Sequence, residues 1–324
     1  MAWFKGVDFF PHDTRWKIIK WRHLLVGLSW VLALLSAVLL WKQGLNYGVD
    51  FKGGSLIEVQ SKSGPLDVAR MRDKLNGLGL GEVQVQGVGT SGTEALIRIA
   101  EQKDEKVQAD AGNKVTAAIG DTVNVRRTEI VGPSVSNELK WTGIKAVVVA
   151  MLGILAYVWF RFEWQFAVAG VLALVHDVFI TTGMFSLLWY EFDLATVAAL
   201  LTLAGYSIND TVVVFDRIRE NLRRYKKMPL DELLDLSINE TLSRTVLTSS
   251  VTAVAVLALY LFGTAAIHGF SFAMLFGIAI GTYSSIFVAA PLLLWFGVKR
   301  DWSEAGKDTS EKAQKPARGV PNIR

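Results

Sequence analysis

No cysteine occurs anywhere in the chain, which excludes thiol catalysis, disulfides and cysteine-ligated metal sites. The absence also suits a domain that faces an oxidising periplasm. Excess charge is scarce as well, with a formal net charge of only +4 over 324 residues. The basic residues gather at the N-terminus, in one internal segment and in the tail. Such a distribution points to membrane orientation and away from nucleic-acid binding. Also missing is the even alternation of apolar and polar residues that a soluble domain of this length would carry. Instead, 51% of the residues are hydrophobic and the mean hydropathy is +0.33. They come in blocks of about 18 or more, the length that crosses roughly 30 Å of hydrocarbon as a helix.

Six segments qualify as spans: Leu24–Trp41, Thr142–Phe160, Phe166–Tyr190, Leu194–Phe215, Val246–Phe262 and Phe270–Val298. Trp21, Trp41, Trp141, Trp159, Trp164 and Trp189 bracket several of them, as aromatic side chains do at the headgroup level. The first has a long polar leader and ends in Leu40-Trp41-Lys42 without a small-residue cleavage pattern, so a retained helix is expected. Lys5, Arg15, Lys17, Lys20 and Arg22 precede it, and Arg217–Lys227 carries six more basic residues, whereas Glu191–Asp193 and Gly263–Gly269 have none. Both termini are therefore expected in the cytoplasm. The expected organisation is a cytoplasmic segment 1–23, a first helix 24–41 and a periplasmic domain 42–140. Five helices follow over 141–298, with a basic cytoplasmic loop at 216–245, and then a disordered cytoplasmic tail, 299–324.

The 42–140 segment has the periodicities of a small folded domain. Ser55–Gln60 alternates as a strand, and Leu66–Leu78 has helical spacing. Glu82–Val88 and Glu94–Ile99 read as strands joined by the turn Gly89–Thr93, Lys103–Ile119 as a polar helix, and Thr122–Val131 as a last strand. The order β-α-β-β-α-β is that of a ferredoxin-like split βαβ domain. The expected fold is therefore a six-helix membrane protein with an inserted α+β ferredoxin-like periplasmic domain.

The domain opens with GVDFKGGSLIEV, residues 48–59. Gly53 and Gly54 precede a strand and no lysine follows at phosphate-loop spacing, so a P-loop is excluded. A metal site would want several acids or histidines, and Asp50 stands alone in the sequence. Glycine accepts positive φ and aspartate bonds its own following backbone, so Asn46–Gly54 reads as a hinge.

Acids inside apolar spans need a reason, since each costs about 2.5–3.5 kcal/mol on insertion scales. Asp210 lies about 8 Å inside the expected end of the fourth span. Arg244 precedes the fifth span, which enters from the same side, so the two can meet. Ser207, Asp210, Thr211 and Val214 share one helix face, and Arg244, Thr248 and Thr252 another. Asn209 offers further hydrogen bonds. Two readings stand: a structural ion pair that sets helix register, or an aspartate that alternates between pairing with arginine and carrying a proton. His176-Asp177 lies near the middle of the third span, as a second relay member or a packing contact. Gly277 and Gly281 form a GxxxG that lets another helix approach.

The stretch YGVDFKGGSLIEV closely resembles the D-F-x-G-G signature of the SecD/SecF family of bacterial protein translocase subunits, within the RND superfamily. VGPSVS at 131–136, FRFEW at 160–164, HDV at 176–178, AGYSINDTVVVFDRIREN at 204–221 and LSRTVLTSS at 242–250 extend the resemblance, on its SecF side, from about Asn46 to Arg300. It implies a non-enzymatic translocase subunit in the inner membrane, driven by the proton gradient with no cofactor. Asp210 is then the proton-coupling acid and Arg244 its partner. The implied partners are SecD, the SecYEG channel with SecA, and YajC and YidC, with an unfolded preprotein as substrate, membrane lipid around it and no nucleic acid. Two rivals remain: a proton-driven exporter of small molecules or lipids, which would want two large outside domains per six helices, and a passive scaffold.

Overall fold

The first apolar run closes its backbone hydrogen bonds within itself, as hydrocarbon requires, and forms α1 (Arg22–Lys42) after a single 3-10 turn. A computed structural model describes residues 14–88, 92–102 and 104–298. The expected tail 299–324, most of the N-terminal segment, Lys103 and the tip of the Gly89–Thr93 turn lie outside the described residues. After α1 come β1 (Asn46–Tyr47), the one-turn helix α2 (Val49–Lys52) and β2 (Gly54–Ser61). Then follow α3 (Val68–Asn76), β3 (Val83–Val88), β4 (Glu94–Ile99), α4 (Glu105–Ile119) and β5 (Val123–Val131).

The four long strands lie in the order β3-β4-β2-β5, every neighbouring pair antiparallel. This is the split βαβ topology expected from the sequence. Ile57, Val59, Ile97 and Ile99 point to one face and bury against Leu75, Val115 and Ile119 of the two helices. The helices start later than their periodicity because aspartates cap them. Asp67 accepts from Arg70 N (3.0 Å) and Asp104 from Lys106 N (3.3 Å), which fixes each start.

One residue, Gly132, separates β5 from α5 (Pro133–Arg161), with proline at the first helical turn. The remaining elements are α6 (Trp164–Leu188), β6 (Glu191–Phe192), α7 (Leu194–Arg224), α8 (Leu230–Phe262), α9 (Ala265–Ser284), a π turn (Ser285–Ala289) and α10 (Ala290–Trp295). Among the described residues six helices are long and apolar enough to cross a membrane, the sixth being α9 with α10. The sixth span is interrupted where Pro291 removes a donor and crowds the carbonyl one turn back, which the wider π turn absorbs.

One expectation about loops is corrected. Residues 216–245 are not a loop: α7 continues to Arg224 and α8 starts at Leu230, leaving only Tyr225–Pro229 between them. β6 pairs in parallel with β1, Asn46 opposite Glu191 and Tyr47 opposite Phe192.

α7 runs through the middle of the bundle, packed on α6, α8 and α9. Both glycines of the GxxxG serve that packing. A Cβ at Gly277 would collide with the Leu203 side chain of α7, and one at Gly281 would come within 3.1 Å of Ser207.

Candidate functional site

Ser207 and Asp210, one turn apart on α7, are both buried and face the inside of the bundle. Around them the structure assembles two distinct acid clusters.

The first centres on Asp177 of α6, which is fully buried. One carboxylate oxygen accepts from Ser207 Oγ of α7 at 2.6 Å and from Ser284 Oγ of α9 at 2.7 Å. The other meets His176 Nδ1 at 2.9 Å. Three donors from three helices thus satisfy an acid that hydrocarbon would otherwise reject. Ser284 is the last residue of α9 before the π turn, so the irregular turn begins where a side chain reaches for Asp177.

The second cluster is sparser. Asp210 receives a hydroxyl bond from Ser249 Oγ of α8 at 3.3 Å, and Thr248 of the same helix brings a second, weaker hydroxyl contact. Ser249 Oγ in turn lies 2.6 Å from Thr282 Oγ1 of α9, and Thr282 Oγ1 lies 2.8 Å from the Ile278 carbonyl. Each hydroxyl has a single proton to donate, so these three contacts have two consistent polarities. With Asp210 ionised, Ser249 donates to the carboxylate, Thr282 donates to Ser249, and the Ile278 carbonyl loses its side-chain donor. With Asp210 protonated, the carboxyl donates to Ser249, Ser249 to Thr282, and Thr282 to Ile278. Arrival of one proton can thus reverse the whole chain without moving a heavy atom.

Arg244 is placed differently from expectation. No ion pair within 4 Å joins it to Asp210; the guanidinium is exposed, and its charge acts on the carboxylate only through space. It lines a cleft of about 850 Å³ with Arg161, Asp216, Arg217 and Glu240, among others. The reason lies in the rotation of α8. Its buried stripe is Thr241, Thr245 and Ser249, while Arg244 and Thr248 are exposed at the edge of that face, Thr248 still within reach of Asp210. Asn209 also faces out and makes no side-chain hydrogen bond among the described residues. Ser249, Thr282 and Ser284 were not singled out by sequence reasoning. The hydroxyls Thr241, Thr245 and Ser249, spaced four apart, carried the signal.

Asp50 is neither alone nor on a free hinge. Its Oδ2 accepts from Leu194 N at 2.9 Å, across 144 residues of chain, at the N-terminus of α7. Asp193 caps the same helix through Thr196 N at 2.7 Å. Two carboxylates thus meet the positive end of the helix dipole. Gly53 and Gly54 have φ of 75° and 117°, and a Cβ on Gly54 would strike the Ile99 carbonyl. Val49 and Phe51 are buried, α2 packs on α5, and Arg98 of β4 pairs with Glu191. The segment is a clamp that fastens the sheet domain to the bundle. Burial pushes the Glu191 and Asp193 carboxyls above the usual carboxylate range, against the opposing pull of Arg98 on the former and Thr196 on the latter. Burial raises Glu129 as well, and Asp50 adds to the effect on all three.

The fold and the seam define a membrane subunit of one particular class: six crossing helices, a split βαβ domain inserted after the first, and acids held between the helices. The chain belongs to the SecD/SecF family. It matches "Protein export membrane protein SecD/SecF, C-terminal" over residues 111–299 and "SecD/SecF GG Motif" over residues 38–64. It is 43% identical to the protein translocase subunit SecF of Rhodobacter capsulatus, covering 93% of this chain and 94% of that one. With the SecF of Escherichia coli O157:H7 the identity is 41%, over 92% and 93%. Among solved structures it is similar to SecDF of Thermus thermophilus, described as a translocon-associated membrane protein. The TM-score is 0.80 and the identity 37%, over 89% of this chain and 39% of that longer one.

Proposed function

We propose that the chain is the SecF-type accessory subunit of a Sec protein translocase and that proton exchange at Asp210 couples the proton-motive force to preprotein export. Family membership supports the translocase role, and SecDF relatives that carry both halves in one polypeptide support a SecD partner. The observation that carries the proton reading is the reversible Asp210–Ser249–Thr282 chain. It opens beside Asn209 and Arg244, polar groups left exposed on the bundle surface. Such groups are costly against lipid, and a second bundle of similar design would cover them. The subunit sits in the inner membrane with both termini in the cytoplasm. It acts with SecYEG and SecA, and with YajC and YidC in the larger assembly.

The work available per proton is small, about 2.3 kcal/mol for one charge crossing 100 mV, so export is assisted in repeated small steps. The sheet domain is held to the bundle at both of its tethers, the clamp at Asn46–Gly54 and the Gly132–Pro133 junction. It therefore follows tilts of α5 and α7 as one body. In proteoliposomes with an imposed gradient, Asp210→Asn should abolish the gradient-dependent part of preprotein export and leave the part driven by ATP. Asp210→Glu should keep a fraction of it. Undiminished gradient stimulation in an assembled Asp210→Asn complex would refute the proposal.

A further inference from the structure

An apolar groove of about 530 Å³ opens between α5, α7 and the clamp, at the end of the bundle where the sheet domain attaches. Ile144, Val147 and Val148 of α5 form one wall, Leu200 of α7 another, and Phe51 and Phe192 of the clamp close the top. Among the described residues its charged lining groups are Lys52 and Lys140. Both are exposed, and neither has an ion pair among the described residues.

The order of these groups along α5 matters. Lys140 is followed on the same helix face by Ile144, Val147 and Val148, so the wall passes from a cation to pure hydrocarbon over about 12 Å at 1.5 Å per residue. Trp141, 65% exposed beside Lys140, marks the headgroup level. A phosphate at the lysines with an acyl chain running down the wall has the same order. A bare apolar partner helix would bury two ammonium groups without a counter-charge, which costs several kcal/mol per ion.

We infer that this groove is a binding site for one phospholipid with an anionic headgroup, its phosphate held by Lys52 and Lys140 and an acyl chain lying against Ile144, Val147, Val148 and Leu200. The lipid would fill the wedge between α5 and the clamp and tie sheet-domain position to the adjoining leaflet.

The test is native mass spectrometry of the purified full chain in detergent, titrated with phosphatidylglycerol or, separately, phosphatidylcholine. The wild type should retain one phosphatidylglycerol in preference to phosphatidylcholine. Lys52→Gln with Lys140→Gln should weaken phosphatidylglycerol binding about thirtyfold, at roughly 1 kcal/mol per lysine. Lys106→Gln with Lys114→Gln, the same charge change far out on the sheet domain, should leave it unaltered. Ile144→Trp, which fills the groove while both lysines remain, should displace the lipid. Equal binding of the two lipids, or unchanged selectivity in the Lys52/Lys140 variant, would overturn the site. So would a co-purified partner subunit that cross-links to a cysteine at position 144 and blocks phosphatidylglycerol.

Discussion

Asp177 and Asp210 are both aspartates buried in membrane helices and both touch serine hydroxyls, yet their surroundings differ in kind. Asp177 takes three donors at 2.6–2.9 Å from α6, α7 and α9, and none of its surface is exposed. Asp210 takes one serine hydroxyl at 3.3 Å and a weaker contact from Thr248, and lies beside exposed polar groups. A saturated acid is a rivet, because a change of its protonation disturbs several bonds that hold helices together at once. An under-coordinated acid at the edge of a hydroxyl chain can gain and lose a proton while its neighbours re-aim. The degree to which its donors are used up, more than burial, therefore separates an acid that fixes the bundle from one that can work in it.

The largest expected effect breaks the rivet. Asp177→Ala would strand Ser207, Ser284 and His176 inside the bundle and should cost about 3 kcal/mol or more, as removal of one partner from a buried charged contact does. The yield of folded protein and its melting temperature in detergent report this directly. Asp210→Asn should leave both nearly unchanged.

Next comes the chain itself. Ser249→Ala removes the only hydroxyl between Asp210 and Thr282 and should slow gradient-driven export about tenfold, equivalent to ~1.4 kcal/mol on the barrier. Its effect on melting should be small. Thr282→Val keeps Ser249 against Asp210 and should slow export less. Equal loss of stability and rate in both variants would make the hydroxyls packing groups and dissolve the contrast between the clusters.

The smallest effect concerns the clamp. Glu129, Glu191 and Asp193 are raised by burial in the docked state and would relax to ordinary values on undocking. The docked state therefore binds more protons. Its advantage is complete below the ordinary carboxylate range and fades as pH climbs through the raised values. With nitroxides on Lys106→Cys and Leu261→Cys, pulsed electron resonance should give its narrowest distance below the ordinary carboxylate range and a progressively broader distribution as the pH is raised. Arg98→Gln should broaden it at every pH.

Much of this architecture was legible before any coordinates. Span-length apolar runs and the alternating strands of the sheet domain are local signals, and they gave the six helices and the βαββαβ order. The clamp was not legible, because Asp50 finds its partner, the Leu194 amide, 144 residues away and β6 is only two residues long. The Arg244 face was misjudged for a subtler reason. α8 carries two polar stripes, Arg244-Thr248-Thr252 and Thr241-Thr245-Ser249, rotated by about 100° from one another. Periodicity reveals both but does not say which one turns inward. That depends on the neighbours, here Asp210 of α7 and Thr282 of α9.

The most direct measurement is proton-induced difference infrared spectroscopy on the reconstituted chain with its partner subunit, stepped between neutral and acidic pH. Of the protonated-carboxyl carbonyl bands that rise on acidification, one should be lost in Asp210→Asn and persist in any folded Asp177→Asn preparation. A band that survives Asp210→Asn and is lost with Asp177 would reverse the roles assigned to the two acids.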